Sequence, residues 1–377
     1  MLVYILTFVA SSVGSFLYSF SKDKSARVIF LILTFLSLFL PAALRYGIGI
    51  DYYSYLKIYS NIYHGYKINQ EIGIIFISRI LQFFRLPGHA LIVSYSFLTI
   101  LFIFLAIPKK YFFLAIPVYV LYFYLDSYCL LRQALACAIM VYAIRLFFEE
   151  KKTRFYFWCL IAILNHKVAI IPSLLVILFQ ILPKGKGQRY TILFAVCFVA
   201  LYFIRSSIVD FLMLKVVPLT PFARYALNSY SGLQAELSTG LGFLLRYFCL
   251  GILLYLICIG ETQNSKRKFA IGSAFYLLFA GNLATVLYIF VRLVNSYSFV
   301  YVYLISSAWK AKSKIRKLIL LFFFFSSFLL YVKGIVGTPI TGKASDGKQI
   351  YPYVSVFNKY EHPIVRNLSL RVPTIQY

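Results

Sequence analysis

The sequence predicts an all-α polytopic integral membrane protein, and three observations carry that prediction. Hydrophobic residues make up 62% of the 377, where an ordinary soluble domain holds about 45–50%. Charged residues make up only 13%, roughly half of what a soluble surface carries. The apolar residues also fall in runs that approach the ~20 residues a spanning helix needs. Together these exclude a soluble enzyme, a disordered chain, a collagen and a coiled coil.

The elements follow in order. Run 2–20 lacks a basic leader and a small-residue cleavage site, and Lys22, Lys24 and Arg27 follow it. That pattern predicts a retained first span with Met1 outside, not a signal peptide. Further spans are predicted over 28–44, 89–107, 111–126, 130–148, 190–208, 241–259, 269–290, 293–308 and 317–332. Residues 72–84 are short for a span and hold Arg79. Residues 155–182 are long for one span, and Asn165, His166 and Lys167 interrupt them.

Charge assigns these two stretches. The chain holds 38 Lys+Arg against 11 Asp+Glu, a net charge of +27. In a soluble protein that excess would point to nucleic acid. In a membrane protein it points to orientation, because Lys and Arg gather in cytoplasmic loops. Six short clusters, at 22–27, 109–110, 151–154, 184–189, 266–268 and 310–317, hold 19 of the positive charges. All six are cytoplasmic if 72–84 is re-entrant or interfacial and 155–182 forms two short helices turning at His166. The expected architecture is a single membrane domain, 1–377, of about 10–13 transmembrane or half-spanning helices. Its outer segments are the loops 45–71 and 209–240 and the C-terminal stretch 333–377. The inner loops are too short to hold a nucleotide, and no nucleic-acid partner is expected.

The six cysteines lie in apolar stretches without a CxxC pair. They are expected as small buried filler, and no metal site is expected.

Several of the remaining cations gather at the outer boundary. Arg45 ends the second span, Arg132 opens the span 130–148, and Arg292 sits at a turn between two spans. Arg246 lies about 8 Å into its span, Arg224 is in the second outer loop, and His166 is at the tip of the proposed hairpin. Arginine in an apolar zone either faces a cavity or partner or snorkels to the headgroups. Grouped on one side, these residues suggest an anionic ligand, which the planar guanidinium fork suits. Asp51 follows Arg45-Tyr46-Gly47-Ile48-Gly49-Ile50 and opens a run containing Tyr52, Tyr53, Tyr55, Tyr59, Tyr63 and Tyr66. That run is either an interfacial aromatic belt or a stacking surface for sugar rings. The sequence has no DxD pair, no G-x-S-x-G elbow and no Walker A motif, which argues against nucleotide-sugar transfer, hydrolase chemistry and nucleotide binding.

At these residues the chain resembles the EpsG family of Wzy-type polymerases. The matching segments are R-Y-G-I-G-I-D-Y at 45–52, E-I-G at 71–73, L-R-Q-A-L-A at 131–136, L-N-H-K-V-A-I-I-P at 164–172, R-L-V-N-S-Y at 292–297 and Y-P-Y-V-S-V-F at 351–357. Two departures are mild: Ile72 where the family often has Pro, and Asn165 in place of a usual aromatic. The resemblance implies a GT-C-like glycosyltransferase of the bacterial cytoplasmic membrane, metal-independent and without a cofactor. Its substrate would be an undecaprenyl-diphosphate-linked oligosaccharide within the membrane lipid, polymerised at the outer face. A chain-length regulator is a partner implied by the family alone.

In that reaction a diphosphate leaves and a hydroxyl attacks. Arg132 and Arg292, assisted by Arg45 and Arg224, would hold the diphosphate. The base would be Asp51, Glu71 or His166. Asp51 has a rival role in holding Arg45, and His166 a rival role as a phosphate donor. Tyr52, Gln133 and Tyr353 would line the sugar path, with a structural role for Tyr353 equally open. The rival classes are a lipid-linked oligosaccharide flippase, an O-antigen-ligase-like transferase and a membrane O-acyltransferase. A flippase would show charges along a central cavity and repeat symmetry, and neither is visible in the sequence.

Overall fold

A computed structural model describes residues 1–66, 69–182, 187–219, 241–261, 263–286, 290–310, 316–342 and 348–369. Among the described residues the regular structure is helical, and β pairing is confined to two isolated bridges. Seven helices among the described residues are long and apolar enough to cross a membrane. Contact density divides the chain into two compact units. The first comprises Met1–Ile170, Tyr301–Tyr303 and Phe328–Tyr377, and the second Ile171–Val300 and Leu304–Ser327.

The first unit opens with α1 (Leu2–Phe20) and α2 (Lys24–Leu44). Asp23 caps α2, its carboxylate accepting from the Ala26 N–H at 2.6 Å, which satisfies one of the helix's orphan donors. Next come α3 (Tyr52–Tyr63) and α4 (Ile72–Phe83). The twelve residues of α4 extend about 18 Å, well short of the ~30 Å hydrocarbon core. That length agrees with the re-entrant or interfacial expectation for 72–84. One side of α4 buries Gly73, Ile74, Ser78 and Leu81, and Ile72, Phe76 and Phe83 are exposed.

Helix α5 (His89–Ala106) is continuous, but the stretch expected as one span over 111–126 is not. It consists of α6 (Phe112–Tyr119), a π-helical turn over Val120–Tyr124 and the single turn α7 (Asp126–Cys129). Pro117 lies inside α6 and contributes no N–H to the ladder. The wide turn that follows is the kind of local break a hydropathy pattern does not register.

Helix α8 (Leu131–Phe148) is the core of the unit, with 78% of its spanning window buried. Ala134, Ala136, Ala138 and Ala143 are all buried on it, and it packs against α5 and α9 (Lys152–Asn165). Small side chains permit that close approach, the usual solution where lipid supplies no hydrophobic drive between helices. Helix α9 ends at His166, whose backbone is extended at φ −159° and ψ 121°. Helix α10 (Ile170–Leu178) begins four residues later. The break therefore falls where the sequence places it.

The second unit is built on α11 (Gly187–Phe211), α12 (Leu241–Gly260) and α13 (Asn264–Ala284), each packed on the other two. α14 (Val291–Ser298) packs on α13, and α15 (Val300–Trp309) follows. The connection from α12 to α13 is pinned by Glu261, which is 2% exposed. Its carboxylate accepts from Ser307 Oγ at 2.6 Å, from the Gln263 N–H at 3.1 Å and from Lys310 Nζ at 3.4 Å. Burial pushes that carboxyl up, but these donors outweigh it and hold it below the usual range. Helix α16 (Arg316–Val336) ends among residues of the first unit, and α17 (Pro363–Ser369) closes the described chain.

Candidate active site

Two clusters form in the first unit, each joining segments far apart in the chain. The first surrounds Arg45, where α2 stops. Arg45 pairs with Ser355 in an antiparallel bridge. The Tyr46 N–H donates to the Val354 carbonyl, and the Val356 N–H donates to the Leu44 carbonyl, each at 2.9 Å. The segments 45–52 and 351–357 thus zip together. The Gly49 N–H donates to the Gln349 carbonyl, and Gly49 has φ +98°. A Cβ there would strike the Tyr128 carbonyl, so the turn requires glycine twice over, for backbone and for space.

The Arg45 side chain is fully buried. Its Nη1 donates to Ser96 Oγ at 3.0 Å and also to the Ala42 carbonyl. The guanidinium carbon lies 4.3 Å from the centroid of the Tyr128 ring. A cation at a helix C-terminus meets the negative end of the dipole, and the ring face adds a cation–π attraction. Nearby, His89 Nε2 bonds the Ala43 carbonyl at 2.8 Å, and Nδ1 meets the Tyr52 hydroxyl at 2.8 Å. A carbonyl only accepts, so Nε2 carries the proton and Tyr52 donates to Nδ1. Tyr353 donates to the Pro41 carbonyl at 2.9 Å and packs edge-on against Tyr4, with centroids 5.7 Å apart. Burial pushes the Tyr353 hydroxyl up to about 12, so it is a donor at neutral pH.

The second cluster surrounds Arg132 at the start of α8. Its Nη1 donates to Gln70 Oε1 at 2.5 Å and is paired with the Glu71 carboxylate. The guanidinium carbon lies 5.8 Å from the Tyr55 ring centroid on α3. Burial pushes the Tyr55 hydroxyl up to about 12, against the pull of Arg132. Arg132 and Glu71 keep 21% and 16% of their side-chain surface exposed, so the pair is open at one side. Among the described residues, Arg132 Nε has no hydrogen-bond partner. Behind the pair, Gly73 lets α4 approach α9: a Cβ there would lie 2.6 Å from Asn165 Oδ1. The segments 71–73, 131–136 and 164–166 are brought together in this way.

The other candidates are placed as follows. Asp51 precedes α3 and its carbonyl accepts from the Tyr55 N–H at 3.0 Å. His166 Nδ1 accepts from the Val168 N–H at 3.3 Å, capping the turn it occupies. Gln133 is 4% exposed on α8. Arg292 lies on α14, in the second unit and half-buried. Arg224 falls outside the described residues. Among the described residues no three His, Cys, Asp or Glu side chains converge as a metal centre needs.

Sequence reasoning missed Gln70 and His89. Gln70 directly precedes Glu71, which was its one available signal. His89 is one of only four histidines and opens a span. It also missed the partner of Asp126, which is Lys348.

The fold and its clustered motifs define a polytopic α-helical membrane protein. The chain belongs to the EpsG family, whose profile matches residues 28–355. That family is Wzy-type polymerase-like, which makes this a polysaccharide-polymerase-like membrane protein. No curated protein and no solved structure matches the chain.

Proposed function

We propose that the chain joins lipid-diphosphate-linked oligosaccharide repeat units into surface polysaccharide at the outer face of the bacterial cytoplasmic membrane. One observation supports this reading most: three separated segments place Gln70, Glu71, Arg132 and Tyr55 together at a partly open edge. In this reading Arg132 holds the leaving diphosphate. Its Nε has no partner among the described residues to give up, and its fork suits phosphate oxygens. An acceptor hydroxyl attacks the anomeric carbon, the bond to the diphosphate oxygen breaks, and Glu71 takes the hydroxyl proton. Tyr55, held protonated, orients the guanidinium and supplies a ring face. Asp51 lies one helical turn from Tyr55 and is the second candidate for the base. His166, with Nδ1 occupied by its own turn, is assigned to shaping the α9 end. Arg45 is left out of ligand binding because it has no exposed surface. Arg292 and Arg224 remain candidate diphosphate contacts on the family resemblance.

The experiment is substitution in the producing cell with membrane abundance checked. Arg132→Ala and Arg132→Lys should both leave single repeat units on lipid, because a lysine cannot replace a bidentate fork. Long polymer from a well-expressed Arg132→Ala strain would sink the reading. Loss of all outer product would point instead to a flippase.

A further inference from the structure

Helix α5 carries a polar step, Ser94-Tyr95-Ser96, in a largely apolar run. The helix packs against α3, α4 and α8. Those elements carry Tyr55, follow directly on Glu71, and carry Arg132. Tyr95 and Ser96 point about 100° apart around the helix, so each can serve a different arginine. Ser96 Oγ accepts from Arg45 Nη1 at 3.0 Å. Tyr95 lies close enough to Tyr55, Arg132 and Glu71 for their charges to act on its hydroxyl. Its side chain has no exposed surface. Among the described residues that hydroxyl has no hydrogen-bond partner.

Other buried tyrosines of the first unit spend their hydroxyls. Tyr59 donates to the Leu86 carbonyl and Tyr124 to the Leu38 carbonyl, each at 2.6 Å, and Tyr128 donates to Tyr124 at 2.8 Å. A buried hydroxyl left unbonded is costly, and native folds keep one only where it has a use. Phenylalanine would fill the same space without that cost. The Glu71–Arg132 pair supplies a use. In the resting arrangement Arg132 Nη1 is shared by Glu71 and Gln70. A diphosphate on Arg132 draws those donors away, and the partly buried Glu71 carboxylate loses its charged partner. A carboxylate only accepts, and a phenol is a donor at neutral pH. Tyr95 is an unspent donor on the helix that packs against both sides of the pair.

We propose that Tyr95 is a positioning residue for Glu71: when an anion engages Arg132, the Tyr95 hydroxyl donates to one Glu71 oxygen and leaves the other facing the acceptor hydroxyl. The proposal rests on the polymerase reading of this site. In the transfer step the acceptor oxygen bonds to the anomeric carbon, and its proton passes to the free Glu71 oxygen. The bond from the anomeric carbon to the diphosphate breaks, and its electron pair leaves on the diphosphate oxygen. Tyr95 keeps its proton throughout.

The test is calorimetric titration of the purified full chain with farnesyl diphosphate, together with thermal melting of each variant free of the probe. Wild type should bind the probe, and Arg132→Ala should bind it at least tenfold more weakly. Tyr95→Phe should also lose about tenfold in affinity. It should nevertheless melt no lower than wild type, because the exchange removes an unbonded buried hydroxyl. In a Glu71→Gln background, Tyr95→Phe should change affinity by about threefold or less, because the carboxylate that the hydroxyl serves is gone. A hydroxyl that merely held the fold would lower melting and be indifferent to Glu71.

If Arg132→Ala loses binding while Tyr95→Phe binds as wild type does, the Tyr95 proposal fails alone. It also fails if Tyr95→Phe melts several degrees lower, since the hydroxyl then has a resting partner, or if its affinity loss is unchanged by Glu71→Gln. A probe that wild type ignores, or that Arg132→Ala binds equally well, would sink the active-site reading and Tyr95 with it.

Discussion

Arg45 and Arg132 look alike in the sequence: each sits at a helix end in a motif-bearing segment. Their surroundings differ. Arg45 is fully buried, faces a tyrosine ring and backbone, and has no carboxylate partner among the described residues. Arg132 keeps a fifth of its side chain exposed and shares its charge with Glu71 and Gln70. The first arginine is walled in by the C-terminal segment, and the second is left with an open side. Arginine near a membrane boundary is thus two kinds of residue, and access separates them.

The largest expected effect tests the structural arginine. Arg45→Ala removes charged hydrogen bonds and a cation–π contact and leaves a cavity, a loss of about 3–5 kcal/mol. Folded protein should fall sharply in membranes, and Arg45→Lys should not restore it, because an ammonium cannot stack flat on Tyr128. A well-folded Arg45→Ala with lost polymer would erase the distinction drawn here. The next effect tests the open arginine. Arg132→Ala should reduce polymerisation by roughly 10²–10³ with little change in thermal melting. A large melting loss would place Arg132 with Arg45 as a structural residue.

Much of this contrast was hidden from the sequence. Apolar runs of near-span length made the helices legible, including the break at His166. The two glycines at 47 and 49 signalled a tight turn, and the turn is there. What the runs could not show was which residues meet across them. Glu71 and Arg132 are 61 positions apart, and Arg45 and Ser96 are 51 apart. Burial of Arg45 depends on the segment 349–356 folding back over it, which no local pattern encodes. Pro117 was visible, but the π-helical turn after it depends on packing.

Two smaller effects sharpen the contrast. Glu261 is a buried acid whose donors lie within its own unit, and those donors hold its carboxyl below the usual carboxylate range. A depressed carboxyl stabilises the fold above its unfolded pKa, and that contribution is lost as pH falls through the folded value. Melting temperature should therefore decline from neutral pH toward about pH 4 more steeply in wild type than in Glu261→Gln. Equal slopes would show that Ser307 and Lys310 do not hold the charge.

The smallest effect concerns Tyr353, for which lining the sugar path and a structural role were both open. Its hydroxyl reaches the Pro41 carbonyl and its ring leans on Tyr4. Tyr353→Phe keeps the ring contact and removes one neutral hydrogen bond, a change of about 0.5–1.5 kcal/mol. If the residue belongs to the Arg45 cage, melting should drop by a few degrees and glycan length should stay as in wild type. If it contacts sugar, polymer length should shorten with melting unchanged. The structure favours the first outcome, because the hydroxyl is already spent on backbone.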